Sequence, residues 1–204
     1  MLIFADARLT YLATPKTGST AVEMALRPKA DIVLAKKRKH MNAARYRKKM
    51  APFLKDTFGI RAETVAVMRA PVDQIRSWYR YRSRDEISGQ PRSTRAMTFD
   101  AFVLAVAQEA PPEYAQIGSQ FRFLTNRKGR LLVDHLFAYE AQDAFLDFMR
   151  ARLKTEIELK RRNASPRREA NLSDDSLMIL RKARADEFAL YERLMASGGY
   201  LGPG

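Results

Sequence analysis

The sequence predicts a single α/β domain over residues 1–204, built on a mostly parallel central sheet flanked by helices. Short apolar runs typical of strands alternate with segments of good helix formers along the chain. One run, residues 64–68, is nearly continuously apolar, as expected for a central parallel strand covered on both faces. No linker, repeat or low-complexity segment divides the 204 residues, a length that suits one domain of ordinary size.

The individual elements follow from apolar periodicity and from the residues that stop helices. Strands are predicted over residues 2–4, 9–13, 31–35, 64–68, 131–133, 135–139 and 157–159. Helices are predicted over residues 19–26, 41–58 (two short helices broken near Pro52), 72–81, 99–107, 141–153 and 173–195. Pro28, Gly59 and the pair Gly198-Gly199 supply stop signals, and residues 82–95 read as a surface loop.

One stretch, residues 11–20, combines a strand, a tight loop turning at Pro15 and a helix start after Gly18. Such a loop directs backbone N–H groups, a helix dipole, Lys16 and several hydroxyls to one place, which suits phosphate or a related oxyanion. The alternative interpretation is a surface turn with a helix capped by Ser19 or Thr17. The loop is P-loop-like but departs from GxxxxGK[ST], since Lys16 precedes Gly18. An ordinary ATP or GTP site is therefore disfavoured.

Composition indicates which partners to expect. With 37 Lys+Arg against 23 Asp+Glu the net charge is +14, which favours anionic partners. The absence of Cys and the presence of only two His argue against disulfides and multi-histidine metal sites, so no metal is expected. The first residues do not resemble a signal peptide and no apolar stretch is long enough for a membrane span. We therefore expect a cytoplasmic protein.

A second strand-loop-helix unit, residues 65–79, gives the first loop its meaning. Arg69 lies where a buried strand opens into a helix, and Ser77 lies two turns into that helix. Because ligands of doubly wound folds sit beyond the carboxyl ends of strands, both loops can share one crevice. Arg69 then offers a planar fork to a second phosphate. The alternative is a local ion pair for Arg69 and a solvated Ser77.

The two loops together resemble the sulfotransferases. Residues 14–20, TPKTGST, are similar to their 5′-phosphosulfate loop, and residues 69–79, RAPVDQIRSWY, to their 3′-phosphate segment. The resemblance is closest to carbohydrate sulfotransferases and their bacterial relatives. Weaker likenesses continue over residues 120–124, 129–133, 137–140, 163–165 and the last helix, so most of the chain is covered. The family often has Gly-Gly-Thr where this chain has Gly18-Ser19-Thr20.

The resemblance implies in-line transfer of a sulfuryl group from 3′-phosphoadenosine 5′-phosphosulfate (PAPS) to a hydroxyl or amine, releasing adenosine 3′,5′-bisphosphate (PAP) without a metal. The acceptor is a small molecule or a carbohydrate, anionic acceptors included. Lys16 would stabilise the leaving phosphate. The implied donor-binding residues are Pro15, Lys16, Thr17, Gly18, Ser19, Thr20, Arg69, Ser77 and, in the basic loop of residues 160–168, Arg167 or Arg168.

His40 is the candidate base, because related carbohydrate sulfotransferases place a histidine base after the corresponding strand. The alternative is a histidine of the exposed basic run at residues 36–40, and Glu23 is a further candidate base. His135, within an apolar strand pattern, is expected to be a packed, hydrogen-bonded core residue. Trp78, Tyr79 and Tyr81 could stack an adenine or a sugar, although packing is the expected role of Trp78.

Two other function classes remain open at this point. The net charge and the interleaved aromatic and basic residues 78–82 also suit a nucleic-acid-binding protein, although the charge is dispersed and no nucleic-acid fold signature is present. A P-loop-like nucleotide kinase is the other alternative, and the position of Lys16 argues against it.

Overall fold

A mixed six-stranded sheet forms the centre of the described structure, a computed structural model covering residues 1–159 and 168–203, with only the backbone at Lys37. The strands are β1 (Leu2–Phe4), β2 (Leu9–Leu12), β3 (Ile32–Val33), β4 (Glu63–Met68), β5 (His135–Ala138) and β6 (Tyr200–Leu201), in the order β3-β1-β2-β4-β5-β6. The helices are α1 (Ser19–Leu26), α2 (Ala43–Arg45), α3 (Ala51–Phe58), α4 (Pro71–Arg82), α5 (Phe99–Val106), α6 (Gln120–Leu124), α7 (Gln142–Leu153), α8 (Asp174–Ala183) and α9 (Ala185–Ala196). The predicted α/β class is confirmed.

The prediction of a mostly parallel sheet is not confirmed. β4 pairs in parallel with β2 and β5, whereas the pairings β1–β2, β1–β3 and β5–β6 are antiparallel. The tight turn after β1, closed by the Arg8 N–H donating to the Ala5 carbonyl, folds β1 and β2 into a hairpin. Parallel pairing is confined to the centre, where the continuous apolar run of β4 predicted it.

Alternation along the strands divides the core between the two faces of the sheet. Leu2, Val65 and Val67 point to one face, where α1 and α7 pack with Val22, Leu26, Phe145 and Met149. Ile3, Ala66 and Met68 point to the other face, where Tyr46, Leu54, Leu190 and Leu194 cover them. This is the expected consequence of the two-residue period of a strand. A third apolar cluster joins α4, α5 and α8 through Ile75, Tyr79, Phe102 and Leu180.

Several elements differ from the predictions for local reasons. Pro52 does not break the helical segment, because it lies in the first turn of α3, directly after a π-helical turn at Tyr46–Met50. Residues 131–133 contribute only an isolated bridge between Leu131 and Thr125, and residues 157–159 form no strand. The final helix is divided at Arg184 into α8 and α9. The short edge strand β6 was not predicted.

The topology brings three loops to one edge of the sheet. Parallel strands β2, β4 and β5 end at the same side, and the chain leaves them at Ala13, Arg69 and Tyr139, respectively. The carboxyl edge of a parallel sheet is where α/β folds bind ligands. The two segments singled out in the sequence therefore start from neighbouring strands.

Candidate functional site

A cavity of about 1390 Å³ opens at this edge of the sheet. Its lining includes Pro15, Lys16 and residues 18–20 from the first loop, and Arg69 and Ser77 from the second segment. His40 and Tyr139 also line it. The structure thus brings both predicted loops, and the candidate base, to a single cavity.

Two residues with left-handed backbone conformation shape the loop of residues 15–20, the Lys16 turn. Lys16 has φ +66°, an uncommon conformation for a residue with a side chain, and Gly18 has φ +72° at the start of α1. A Cβ at Gly18 would lie 3.2 Å from Cε2 of Tyr139. Glycine is therefore favoured both by the left-handed backbone and by the close approach of the Tyr139 ring. The strained Lys16 backbone presents its side chain to the cavity.

The start of α1 exposes donors that suit an anion. The N–H groups of residues 16–20 have no backbone or side-chain acceptor among the described residues. No side chain caps α1, so the alternative of a helix capped by Ser19 or Thr17 is not what the structure shows. Unpaired first-turn N–H groups together with the helix dipole favour a negatively charged ligand.

Thr17 differs from its neighbours. It is 2% exposed, and its hydroxyl donates to the Thr14 carbonyl at 2.9 Å, so its side chain braces the loop instead of facing the cavity. Ser19 and Thr20 remain at the cavity wall. The role of Thr17 in binding the sulfuryl donor, which the resemblance implies, can therefore involve only its backbone.

The Lys16 ammonium lies in a cationic and aromatic environment. Nζ is 4.3 Å from the ring centroid of Tyr81 and 5.4 Å from that of Trp78. Burial, followed by the nearby charges of Arg84, Arg69 and Lys39, lowers the pKa of Lys16 to about 8. Within the described chain no carboxylate lies within 4.0 Å of it. An anionic ligand would offset the repulsion between the Lys16 ammonium and these neighbouring cations.

Arg69 is held by its main chain, while its guanidinium group has no carboxylate partner among the described residues. The Gln120 side chain accepts from the Arg69 N–H and donates to the Arg69 carbonyl, both at 2.9 Å. The guanidinium carbon lies 4.7 Å from the Tyr139 ring centroid, and the buried Nε atom has no hydrogen-bond partner in the part of the chain that the structure describes. Ser77, about two turns into α4, lines the same cavity.

Two side chains connect the Lys16 turn to residues 69–77, the Arg69 segment. Sequence reasoning missed both. Gln74, 3% exposed on α4, donates to the Pro15 carbonyl at 3.3 Å. Tyr139 packs on Arg69 and approaches Gly18. Tyr139 falls in a stretch noted only for a weak likeness, and Gln74 is a polar residue of a helix with no motif of its own. Neither residue therefore carries a local sequence pattern that would identify a contact with a residue 59 or more positions away.

His40 ends a 3₁₀ turn at Lys36–His40 and reaches the cavity beside the Lys16 turn. Its Nδ1 lies 2.7 Å from the Ala13 carbonyl oxygen, which can only accept. Nδ1 therefore carries the proton in the neutral ring, and Nε2 keeps a lone pair. Burial, with help from the Lys39 charge, lowers the pKa of His40 below its usual value.

Glu23 is occupied elsewhere. Its carboxylate pairs with the amino group of Met1 at 3.2 Å and with Lys39 at 2.9 Å. Lys39 also contacts the Thr20 hydroxyl at 3.4 Å. Glu23 thus serves as a counter-ion behind the cavity, and this arrangement favours His40 over Glu23 as base.

Of the two arginines predicted to bind the nucleotide from the basic loop of residues 160–168, the structure describes one. Arg167 lies outside the described residues. Arg168 does not line the cavity: its guanidinium group donates to the carbonyls of Thr94, Arg95 and Met97 at 2.7–3.0 Å and stacks on Tyr79. The structure gives Arg168 a bracing role under the loop that follows α4. Its neighbours 169–171 do reach the cavity wall.

The other side chains singled out in the sequence divide between the protein interior and the cavity wall. His135 is 6% exposed and its Nδ1 lies 2.8 Å from the Tyr200 hydroxyl, which confirms a packed, hydrogen-bonded residue. Tyr79 is buried. Trp78 is only half-buried and, with Tyr81, lines the cavity, so packing alone does not describe it.

Positive charge dominates the described cavity wall. The lining residues include Lys16, Lys39, Arg69, Arg76, Arg80, Arg82 and Arg92 against the two carboxylates of Asp73 and Glu169. Asp73 is paired with Arg76. A wall of this composition attracts an anionic ligand.

Over residues 1–159 and 168–203 no cluster of three or more His, Cys, Asp or Glu side chains is arranged to hold a metal ion. Across the same ranges none of the helices combines the length and apolar character that a bilayer crossing requires.

No protein-family model matches the chain, and no match is found among curated proteins or solved structures. The likeness noted in the sequence therefore rests on the residues of the two loops and, more weakly, on the downstream stretches.

Proposed function

We propose that this protein is a sulfotransferase that moves a sulfuryl group from PAPS to a hydroxyl or amine of an acceptor. One observation carries the proposal: the Lys16 turn and the Arg69–Ser77 segment line the same cavity. Gln74 and Tyr139 tie the two segments together. The proposal includes a P-loop-like role for the Lys16 turn, which would bind the 5′-phosphosulfate group of PAPS.

The residues present fit a nucleotide with an anionic group at each end. At one end, residues 16–20 offer N–H groups that have no acceptor within the described chain, and Lys16 offers an ammonium group with no described carboxylate nearby. At the other end, Arg69 offers a guanidinium group whose buried Nε atom has no partner among the described residues. Unpaired buried donors are costly, which supports a ligand that completes them.

PAPS supplies an activated sulfuryl group bonded to a phosphate oxygen, and transfer breaks that sulfur–oxygen bond as the acceptor oxygen or nitrogen bonds to sulfur. Lys16 stabilises the negative charge that grows on the leaving phosphate, and the N–H groups of residues 17–20 share that task. Because these groups are fixed before the reaction, little reorganisation is needed during the transfer.

His40 removes the acceptor proton at Nε2. The Ala13 carbonyl fixes the ring with its proton on Nδ1, and the lowered pKa keeps the ring neutral near pH 7. After the transfer Nε2 holds the proton and returns it to solvent. The acceptor is a small molecule or a carbohydrate, and the cationic wall admits anionic ones.

A thermal-shift comparison of four ligands tests the proposal. PAP should raise the melting temperature well above the effect of AMP, since PAP alone engages Arg69 through a 3′-phosphate. ATP should resemble AMP. Equal shifts for PAP and AMP would contradict the role of the Arg69 segment. A salt-sensitive response to a short oligonucleotide alone would favour nucleic-acid binding instead.

A further inference from the structure

The Arg69 backbone is gripped by a buried side chain outside the cavity wall. Gln120, the first residue of α6, is 1% exposed and lies 51 residues from Arg69 in the chain. Its amide oxygen accepts from the Arg69 N–H and its amide nitrogen donates to the Arg69 carbonyl. A side-chain amide that pairs with both backbone groups of one residue fixes that residue more firmly than a single bond does.

A buried carboxylate orients this amide. Glu187, 3% exposed in the first turn of α9, lies 3.4 Å from the Gln120 amide nitrogen through Oε1. Its other oxygen accepts from the Ser119 hydroxyl at 2.5 Å and faces the Arg184 guanidinium group at 3.4 Å. Because a carboxylate can only accept, it holds the amide nitrogen of Gln120 on the side of the Arg69 carbonyl.

The break between α8 and α9 belongs to the same arrangement. Arg184, at the break, donates to the Gly118 carbonyl at 2.8 Å and supplies the counter-charge for Glu187. The break thereby sets the first turn of α9 against the start of α6. A buried carboxylate and amide cost stability unless they are fully paired, so apolar packing alone would not call for them. In the described structure this network meets the cavity wall at Arg69.

We propose that Gln120, oriented by Glu187, is a positioning residue that aims Arg69 at the 3′-phosphate of the donor. It sets the preference for PAP over AMP without touching the nucleotide. The inference rests on the proposed function, and it adds a residue to the specificity of that site. The C-terminal helix pair thereby takes part in donor recognition from behind the sheet edge.

Calorimetric titration of PAP and AMP into Gln120→Met tests the inference. The affinity ratio of PAP to AMP should fall about tenfold or more, while the AMP dissociation constant changes less than about threefold. Thr125→Val is the matched control, because Thr125 is 3% exposed at the end of α6 and bonds only the Phe121 carbonyl. That variant should lower the melting temperature and leave the ratio unchanged.

A swap separates positioning from stability. Gln120→Glu retains an acceptor for the Arg69 N–H but sets a carboxylate against Glu187, so the ratio should fall. Adding Glu187→Gln supplies a donor to that carboxylate and removes the like-charge repulsion, so the ratio should recover in part but stay below that of the wild type, because the Arg69 carbonyl still lacks its donor. A merely structural role would change the melting temperature in both variants without changing the ratio.

Each outcome decides the question. A wild type that binds PAP no better than AMP removes the proposed function itself. A wild type that prefers PAP, with the same preference in Gln120→Met or Gln120→Glu, overturns the positioning role alone. If the Gln120 variants do not fold, Glu187→Gln is followed by hydrogen exchange: faster exchange at the Arg69 amide is expected, and an unchanged rate contradicts the inference.

Discussion

At the scale of single residues, the site depends on a lysine and a histidine whose protonation is shifted in the same direction for related reasons. Burial lowers the pKa of both, and neighbouring cations add to the effect. The histidine is thereby kept neutral near pH 7, and the lysine remains largely charged only up to about pH 8. The two shifts define a window in which both groups are in the form that the proposed reaction needs.

The pH profile should therefore be bell-shaped. For the free enzyme, kcat/KM should rise with pH through a value below the usual imidazole pKa of about 6.5 and fall through about 8. Initial rates between pH 5 and 10 measure it. In Lys16→Arg the guanidinium group stays charged, so the fall near pH 8 should disappear from the residual activity. A fall that persists in this variant would assign that limb to another group.

His40→Ala should lower kcat about 10²- to 10⁴-fold, the usual range for general acid–base catalysis, with PAP affinity nearly unchanged. Turnover of labelled PAPS and calorimetric PAP binding give the two quantities. His135→Ala is the control for loss of an imidazole, since His135 lies away from the cavity against Tyr200 and Phe148. Unchanged turnover in His40→Ala would remove His40 from the mechanism.

Lys16→Met should stabilise the free protein while abolishing transfer. Because folding lowers the Lys16 pKa, the charged side chain costs stability below about pH 8, and the cost fades as pH rises further toward 10.5. Allowing for its partial exposure, the gain at pH 7 is about 1–2 kcal/mol. Urea unfolding at pH 7 and pH 10 measures it, and a loss of stability at pH 7 would contradict this account of the lysine.

Residue by residue, the sequence identified the groups that carry charge and missed those that position them. Lys16 and Arg69 stand next to a strand end and a helix start, which are local signals. Gln74, Gln120 and Glu187 act through contacts with residues 51 to 67 positions away. A buried glutamine has no local pattern that distinguishes it from a surface glutamine, so these roles are visible only after folding.

At the scale of elements, the loop before α1 combines backbone strain with a contact that closes the site. Gly18 is left-handed and its missing side chain makes room for Tyr139, which in turn packs on Arg69. The start of α1, the end of β5 and the end of β4 are thus held together at one point. A change at Gly18 is expected to disturb all three.

Gly18→Ala should destabilise the protein by about 1–2 kcal/mol, the cost of a left-handed residue with a Cβ, and should also weaken PAP binding. Gly59→Ala is the matched control: its φ is +69°, yet a Cβ there meets nothing within 4 Å. Unfolding and PAP titration of both variants separate the backbone cost, which they share, from the Tyr139 contact. Equal PAP affinity in the two variants would show that this contact does not matter.

Element boundaries followed the sequence where caps and stops are local. Thr98 and Ser173 accept from the N–H groups of Ala101 and Ser176, as N-caps do, and Gly59 ends α3 in the left-handed conformation. The break at Arg184 and the edge strand β6 were not predicted. At the break Arg184 donates to the Gly118 carbonyl before α6, and β6 pairs with β5. Neither of these long-range contacts is encoded in a local pattern.

At the scale of the whole molecule, the sheet order explains why two distant loops meet. β2, β4 and β5 are adjacent and parallel, so the segments that follow them line one edge. The sequence predicted this meeting from two strand-loop-helix units, the expectation of a parallel sheet and the family resemblance of the two loops. It did not predict that the surrounding strands are antiparallel, because the hairpin of β1 and β2 and the short edge strands carry weak signals.

The structure of a PAP complex tests the central claim most directly. One PAP molecule should span the cavity, with its 5′-phosphate at Lys16 and the N–H groups of residues 17–20, and its 3′-phosphate at Arg69 and Ser77. A nucleotide that engages only one of these two segments, or that binds outside the cavity, would contradict the account.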